Sequence, residues 1–313
     1  MNAQDRVAVG KDLGRLGAAD VVSLERLAEH TTFRMGGPAD LGFWPDSLDT
    51  LVQGLDFLAA RGVPTLFLGA GSHVLIPDHG FRGVAVHTDA LSERFVTGST
   101  IRVEAGTTLR SLADHALHAG LSGLEFAADI PGHLGASVAL NAGAYGSALA
   151  ERIEAVWVLS RDEHGAGVDR LEPAECGFSR HASALRRSGR MVLAAAFRLE
   201  PEDPKEIQER MEHLSHLRQA SQPQGQPTFG CMFSNPPGQH AGRLIEAAGL
   251  KGTRVGNVRI SRVHANFLIN LGGARYADVL RLIDLAKSRV ETAHGVQLTP
   301  EVEIIPDEEP LRS

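Results

Sequence analysis

Apolar residues recur every three to four positions in several stretches of the chain, and these stretches predict its helices. In "DSLDTLVQGLDFLAARG", Leu48, Leu51, Val52, Leu55 and Ala59 share one helical face, and Gly62 supplies the stop. Leu109, Leu112, Ala113 and Ala116 align in the same way in "TTLRSLADHALHAG". Further on, "EDPKEIQERMEHLSHLRQ" opens on a capping Asp203 with Pro204 at the first helical position, and its stripe is Ile207, Met211 and Leu214. A short helix is predicted over 240–248. A long one over 277–293 has Val279, Leu282, Ile283, Ala286 and Val290 on one face. Between the helices stand short apolar or alternating runs that read as strands: "PTLFL", "TIRVEAG", "EAVWVLS", "MVLAAAFRL", "HANFLIN" and "PEVEII". Residues 1–25 show no sustained pattern and are expected to be a mobile start. The interleaving of strands and helices indicates an α+β or α/β architecture, with a boundary near residue 200 where charged residues and then a Gln/Pro/Gly run flank a helix.

Composition narrows the class. A length of 313 residues allows about two or three domains, and 43% hydrophobic with 22% charged residues is the make-up of a soluble globular protein. A formal net charge of −7 argues against nucleic acid or an anionic membrane surface as partner. No stretch is long and apolar enough to span a membrane, and "MNAQDRVAVGKDLGRLG" lacks the apolar core of a signal peptide, so a cytoplasmic location is expected. The two cysteines, Cys176 and Cys231, form no CxxC, and the fourteen histidines form no HExxH. No metal site is expected, and His115 and His118 in "HALH" read as solvated.

Two glycine-rich segments carry the first functional signal. "GAGSHVLIPDHG" begins like a dinucleotide fingerprint, but Val74 stands at the third glycine and Pro77 and Gly80 interrupt the helix that should follow. It remains a glycine turn with one hydroxyl, Ser72, whose backbone N–H groups could cradle a phosphate, or an ordinary β-turn. In the second segment Gly132, Gly135, Gly143 and Gly146 surround Pro131 and Asn141. So little bulk permits the close approach of a flat or phosphorylated ligand, and two such loops point to a large cofactor with a pyrophosphate.

"HTTFRMGGPAD", "LGAGSHVLIPDHGFRGVAV", "GLSGLEFAADIPGHLGASVALNAGAYG", "CMFSNPPG", "AGRLIEAAGLKG", "HANFLINLGGA" and "LTPEVEII" follow one another over residues 30–306. In this they resemble the UDP-N-acetylenolpyruvoylglucosamine reductase (MurB) family of FAD enzymes in bacterial cell-wall synthesis. The short span from Gly252 to His264 is similar to the compact form of that family, which lacks a longer insertion there. The resemblance implies an α+β chain: an FAD-binding domain (PCMH-like) at 26–200, in two subdomains of about 26–90 and 91–200, and a C-terminal α/β substrate-binding domain at 201–313. It implies NADPH as electron donor, a UDP-sugar enolpyruvate as substrate and UDP-N-acetylmuramate as product. A monomer is expected. By the same resemblance Thr32, Arg34, Gly36, Gly37, Gly69, Gly71, Ser72, His73, Gly132, Gly135, Asn141 and Gly143 belong to the flavin site.

Reduction of the enolpyruvyl alkene needs a proton donor and something to stabilise the developing enolate. Taken alone, Cys231 is a small buried hydrophobe or a reactive thiol. The resemblance places it at the family's proton donor, and an ordinary thiol, with a pKa of about 8.5, carries its proton at neutral pH. Glu301 falls on the family's enol-supporting carboxylate and Asn235 on its substrate-binding asparagine. Arg218, Gln222, His264 and Asn266 are further substrate-site candidates. The family's Tyr-Arg pair should lie in "GFSRHAS", where an ungapped frame puts His181 at the catalytic arginine and a local slip puts Arg180 there. His73, Asp129, Ala136 and Ser234 also depart from the family's residues. Two other readings use the same cofactor domain: an FAD oxidoreductase acting on another substrate, and a flavin-binding homologue with weakened chemistry.

Overall fold

The start of the chain folds against expectation. The computed structural model describes residues 1–162 and 165–307, so the last six residues of the expected C-terminal domain lie outside the described residues. Residues 1–25, expected to be mobile, form the helix Ala3–Arg15 and the strand Ala18–Ser23. Asn2 caps the helix by accepting from the Asp5 N–H at 2.8 Å. Only Val9 and Leu13 are buried on it, one turn apart, against Leu41, Phe43, Leu51 and Leu55. Two anchors separated by Gly10 are too sparse to read as a periodic face, yet packing makes them sufficient.

The chain divides into two compact units and passes between them repeatedly. The first comprises Met1–Ser23, Leu41–Gly69 and Gly83–Arg218; the second comprises Leu24–Asp40, Ala70–Arg82 and Gln219–Ser313. The boundary expected near 200 therefore falls at 218–219. The physical reason is the helix Pro204–Ser221, which buries Ile207 and Met211 against Ala113 and Ala128 of the first unit. The segments 24–40 and 70–82, expected with the N-terminal domain, group with the C-terminal residues. Phe33 packs on Phe229 at 4.9 Å, and Asp78 accepts from the Tyr276 N–H at 3.2 Å.

In the first unit, a four-stranded sheet has the order 18–23, 39–45, 81–87, 65–68, with the last pair parallel. The predicted helix Leu48–Ala60 is capped by Ser47 and buries Leu51, Leu55 and Leu58. A five-stranded antiparallel sheet has the order 165–171, 153–162, 192–198, 100–104, 94–97. The helix Leu109–His118, capped by Thr108, and the short helix Leu134–Ala139 share that sheet's core, in which Ile101, Val103, Leu112, Leu134, Val156 and Phe197 are buried. Cys176 also sits in this core, where burial pushes its thiol up to about 11, so it is a packing residue.

The second unit holds a three-stranded antiparallel sheet, 254–255, 258–260, 268–270. The long helix Tyr276–His294 packs there through the predicted face of Val279, Leu282, Ile283, Ala286 and Val290. The expected strand 264–270 is shortened to Leu268–Asn270, because residues 264–267 turn, Phe267 N–H donating to His264 O at 3.1 Å. The final strand is Glu303–Ile304, paired in parallel with Val74–Leu75.

Candidate active site

In the first unit Gly69 meets the second glycine segment. A Cβ on Gly69 would lie 3.2 Å from His133 Cβ, within the loop that leads from Gly132 into the helix Leu134–Ala139. Gly135 lies in the first turn of that helix, and Gly143 in the small hairpin 143–148. Thr107, whose carbonyl accepts from the Leu134 N–H at 2.8 Å, buries a hydroxyl that has no hydrogen-bond partner among the described residues. A buried orphan hydroxyl beside a loop of small residues fits a bound polar group such as a phosphate. Burial holds the His133 imidazole below its ordinary value, against the opposing pull of Asp89 at 3.5 Å.

Asn141, expected to touch the cofactor, spends its amide on the protein. Its Nδ2 donates to Ser179 O at 2.8 Å and its Oδ1 accepts from the Ala150 N–H at 3.0 Å. It thereby staples the glycine segment to the loop bearing Arg180 and His181. That loop is a tight turn in which Ser179 and Ala182 exchange backbone hydrogen bonds, with His181 at φ 53°. Burial, and secondarily the Arg180 charge, hold the His181 imidazole below its ordinary value. At neutral pH the cation of this turn is therefore the exposed Arg180. Arg218, on the last turn of Pro204–Ser221, acts electrostatically on Tyr145, whose hydroxyl donates to Leu214 O at 3.1 Å. Asp129 pairs with Arg110 at 3.5 Å, which offsets the carboxylate near the glycine segment.

The rest of the predicted set lies in the second unit. Thr32 N–H donates to Gly71 O at 3.1 Å, Gly37 N–H donates to Pro77 O at 2.9 Å, and Arg34 holds φ 54° with its carbonyl accepting from Asn270 Nδ2. Gly36 fits against Ile76. Gly71 has a reason of its own to be glycine: at φ 57°, any Cβ there would lie 2.2 Å from His30 O. Ser72 Oγ lies 3.5 Å from His73 Nδ1, and His73 Nε2 lies 3.8 Å from Glu301 Oε1.

Cys231, Asn235, His264 and Asn266, named from the sequence, share one cavity of about 210 Å³ with His240, Gly242 and Arg243, which were not. Asn235 Oδ1 accepts from the Ala241 N–H at 2.9 Å and so caps the helix Ala241–Ala247 that carries Arg243. His264 Nδ1 accepts from the Asn266 N–H at 3.2 Å, which leaves the ring hydrogen of the neutral form on Nε2. Burial, then the Lys251 charge, lowers its pKa. A Cβ on Gly242 would meet His264 Cε1 at 2.7 Å, so glycine makes the room. Asn266 differs from expectation. It is 2% exposed, accepts from Phe233 N–H at 3.1 Å and donates to Phe233 O at 2.7 Å, so it braces the Cys231 strand through both ends of its amide. Gln222 lies on the loop that precedes this strand, its carbonyl accepting from Gln224 Nε2. The signal for Arg243 was its place three residues after His240 at the start of a short helix, which reads as solvated until the cavity is seen.

Among the described residues no group of three or more His, Cys, Asp or Glu is arranged to hold a metal, and no helix is long and apolar enough to cross a membrane.

Residues 222–305 match the family model described as UDP-N-acetylenolpyruvoylglucosamine reductase, C-terminal domain, and residues 39–163 match the FAD binding domain. The UDP-N-acetylenolpyruvoylglucosamine reductase of Rubrobacter xylanophilus is 42% identical over 90% of this chain and 94% of its own. That of Carboxydothermus hydrogenoformans is 37% identical over 96% of this chain and 99% of its own. The crystal structure of the reductase from Thermus caldophilus superposes with a TM-score of 0.75 at 36% identity, covering 92% of this chain and 98% of that one.

Proposed function

The chain belongs to the UDP-N-acetylenolpyruvoylglucosamine reductase family, and from that premise we propose how its own residues divide the reaction. It is an FAD-dependent oxidoreductase of peptidoglycan precursor synthesis, reducing UDP-N-acetylglucosamine enolpyruvate to UDP-N-acetylmuramate at the expense of NADPH. Bound FAD supplies hydride chemistry between NADPH and the enolpyruvyl alkene. In the first unit Gly69, Gly132, Gly135 and Gly143 present backbone, and the Thr107 hydroxyl a donor, to the cofactor. In the second, Thr32, Arg34, Gly36, Gly37, Gly71 and Ser72 do so.

The observation that carries the assignment of roles is the cavity that gathers Cys231, Asn235 and Arg243 with His264 and Asn266 of a later segment. Cys231 Sγ–H gives its proton to the substrate carbon next to the carboxylate. Glu301 supports the enol, and Arg180 is the cation that stabilises the developing negative charge. Arg243, with Asn235 beside it, holds an anionic part of the UDP-sugar, a contact that Ser234 at its position cannot supply. We place the enzyme in the cytoplasm and read it as a monomer with no nucleic-acid partner.

The test is rapid mixing in two steps, flavin reduction by NADPH and then re-oxidation by the enolpyruvyl sugar. Cys231→Ser should retain substantial re-oxidation, because a hydroxyl delivers a proton from the same place. Cys231→Ala should slow re-oxidation alone. Equal re-oxidation rates for the wild type and Cys231→Ala would reject the donor role.

A further inference from the structure

His73 stands in the glycine turn, yet its surroundings in the second unit are those of a carboxylate partner. The segment 301–305 is held in register from two sides. Glu301 N–H donates to Met232 O at 2.8 Å, Glu303 N–H to His73 O at 2.8 Å, and Ile305 N–H to Leu75 O at 3.0 Å. This ladder fixes the imidazole against Glu301, with Nε2 3.8 Å from Oε1 and the two side chains 25% and 18% exposed. The same edge of the ring faces the residue before Cys231: a Cβ on Gly230 would lie 3.2 Å from His73 Cε1 and 3.4 Å from Nε2. A side chain at 230 would displace the imidazole, so glycine there lets one ring reach both the carboxylate and the turn bearing the thiol. The titratable or hydroxyl groups on the segments packed around the ring include Ser72, Thr228, Cys231, Glu301 and Glu303.

We propose that His73 is a positioning residue for Glu301: its imidazole orients that carboxylate beside the Cys231 turn and keeps it ionised. The proposal rests on the roles given above to Cys231 and Glu301, and it moves His73 from the cofactor to the carboxylate. Charge at this separation, in a site open to water, couples the two titrations by about one pH unit. A partnered imidazole is easier to protonate, so removing the carboxylate lowers its midpoint.

The experiment follows the imidazole carbon resonances of the FAD-loaded protein through a pH titration, with the His73 signal assigned by its loss in His73→Asn. In Glu301→Gln the His73 midpoint should fall by about one pH unit. In His73→Asn, re-oxidation by the enolpyruvyl sugar should slow about ten-fold with its acid limb displaced, while bound FAD and NADPH-driven reduction persist. An unmoved His73 midpoint in Glu301→Gln overturns the proposal, as does a His73→Asn protein that sheds its flavin. Wild-type protein that UDP-sugar enolpyruvate fails to re-oxidise would refute the functional reading instead, and the His73 midpoint would still report on the pair.

Discussion

Asn266→Ala tests whether a polar side chain lining the cavity serves the substrate or the strand. Asn266 and Phe233 are 2% and 1% exposed, and the amide makes two hydrogen bonds to the Phe233 backbone. Alanine would leave a buried N–H and a buried C=O facing a small void. Each orphaned group costs about 1–3 kcal/mol, offset in part because no amide need then be desolvated, so a net loss of about 3 kcal/mol is expected. Tryptophan fluorescence cannot read this, since Trp44 and Trp157 both lie in the first unit. Hydrogen exchange at the Phe233 and Met232 amides can. Protection there should drop by about two orders of magnitude, a factor of ten for each 1.4 kcal/mol. Re-oxidation of the reduced enzyme should slow even at saturating substrate, because Cys231 lies two residues away on the slackened strand and a displacement of about 1 Å can cost 100-fold. Wild-type protection together with a raised KM and an unchanged limiting rate would show that Asn266 is a substrate ligand and that the bracing argument is wrong.

Arg180→Ala should slow re-oxidation by about 100-fold, whereas His181→Ala should change it by less than about three-fold across pH 6–8; the reverse ranking would assign the cation to His181. Arg243→Ala should raise KM for the UDP-sugar by about ten-fold with kcat little changed, and added salt should weaken the wild type toward the variant; an unaltered KM removes Arg243 from the site. Because burial lowers the folded-state pKa of His264 below its unfolded value of about 6.5, the stability it contributes is complete above that pH and is lost as pH falls through the lowered value. Urea titrations at pH 7 and pH 5 should therefore show a smaller acid loss for His264→Gln than for the wild type, and equal losses would refute the linkage.

Local pattern and tertiary structure parted company at identifiable places. Helices with three or more aligned apolar residues, such as Leu48–Ala60 and Tyr276–His294, were legible because burial of one face dictates the period. The helix Ala3–Arg15 was not, since Val9 and Leu13 alone anchor it. Nor could periodicity reveal that 24–40 and 70–82 join the C-terminal residues. That grouping rests on long-range contacts, such as the burial of Phe33, Met35 and Leu75 in the C-terminal core and the bond from Asn270 Nδ2 to Phe33 O at 2.8 Å, which leave no local signature. In the site, the thiol and the glycine segments were conspicuous by residue type. His240 and Arg243 were not, because a charged residue on a short helix reads as solvated whatever it faces.

Three asparagines explain why residue type alone misassigns some polar positions. Asn141, Asn266 and Asn270 are 5%, 2% and 5% exposed, and each donates from Nδ2 to a backbone carbonyl of a distant segment: Ser179, Phe233 and Phe33. Each also accepts at Oδ1 from a backbone N–H: of Ala150, Phe233 and Gly272. An amide satisfies a buried carbonyl and a buried N–H at once and reaches further than a hydroxyl, whereas an ionised aspartate or an alanine cannot do both. The segments so held carry the Arg180 turn, the Cys231 strand and the Arg34 turn. All three lie outside the regular helices and sheets, and the asparagine bonds add to the few backbone bonds that hold them, such as Met232 N–H to Asn266 O at 2.7 Å. Reactive groups in this chain sit on irregular segments, where side chains can converge, and the cost of irregularity is a set of buried peptide groups without regular partners. An asparagine near a site can therefore serve the backbone, and a full account of its four hydrogen-bonding positions separates that role from ligand binding.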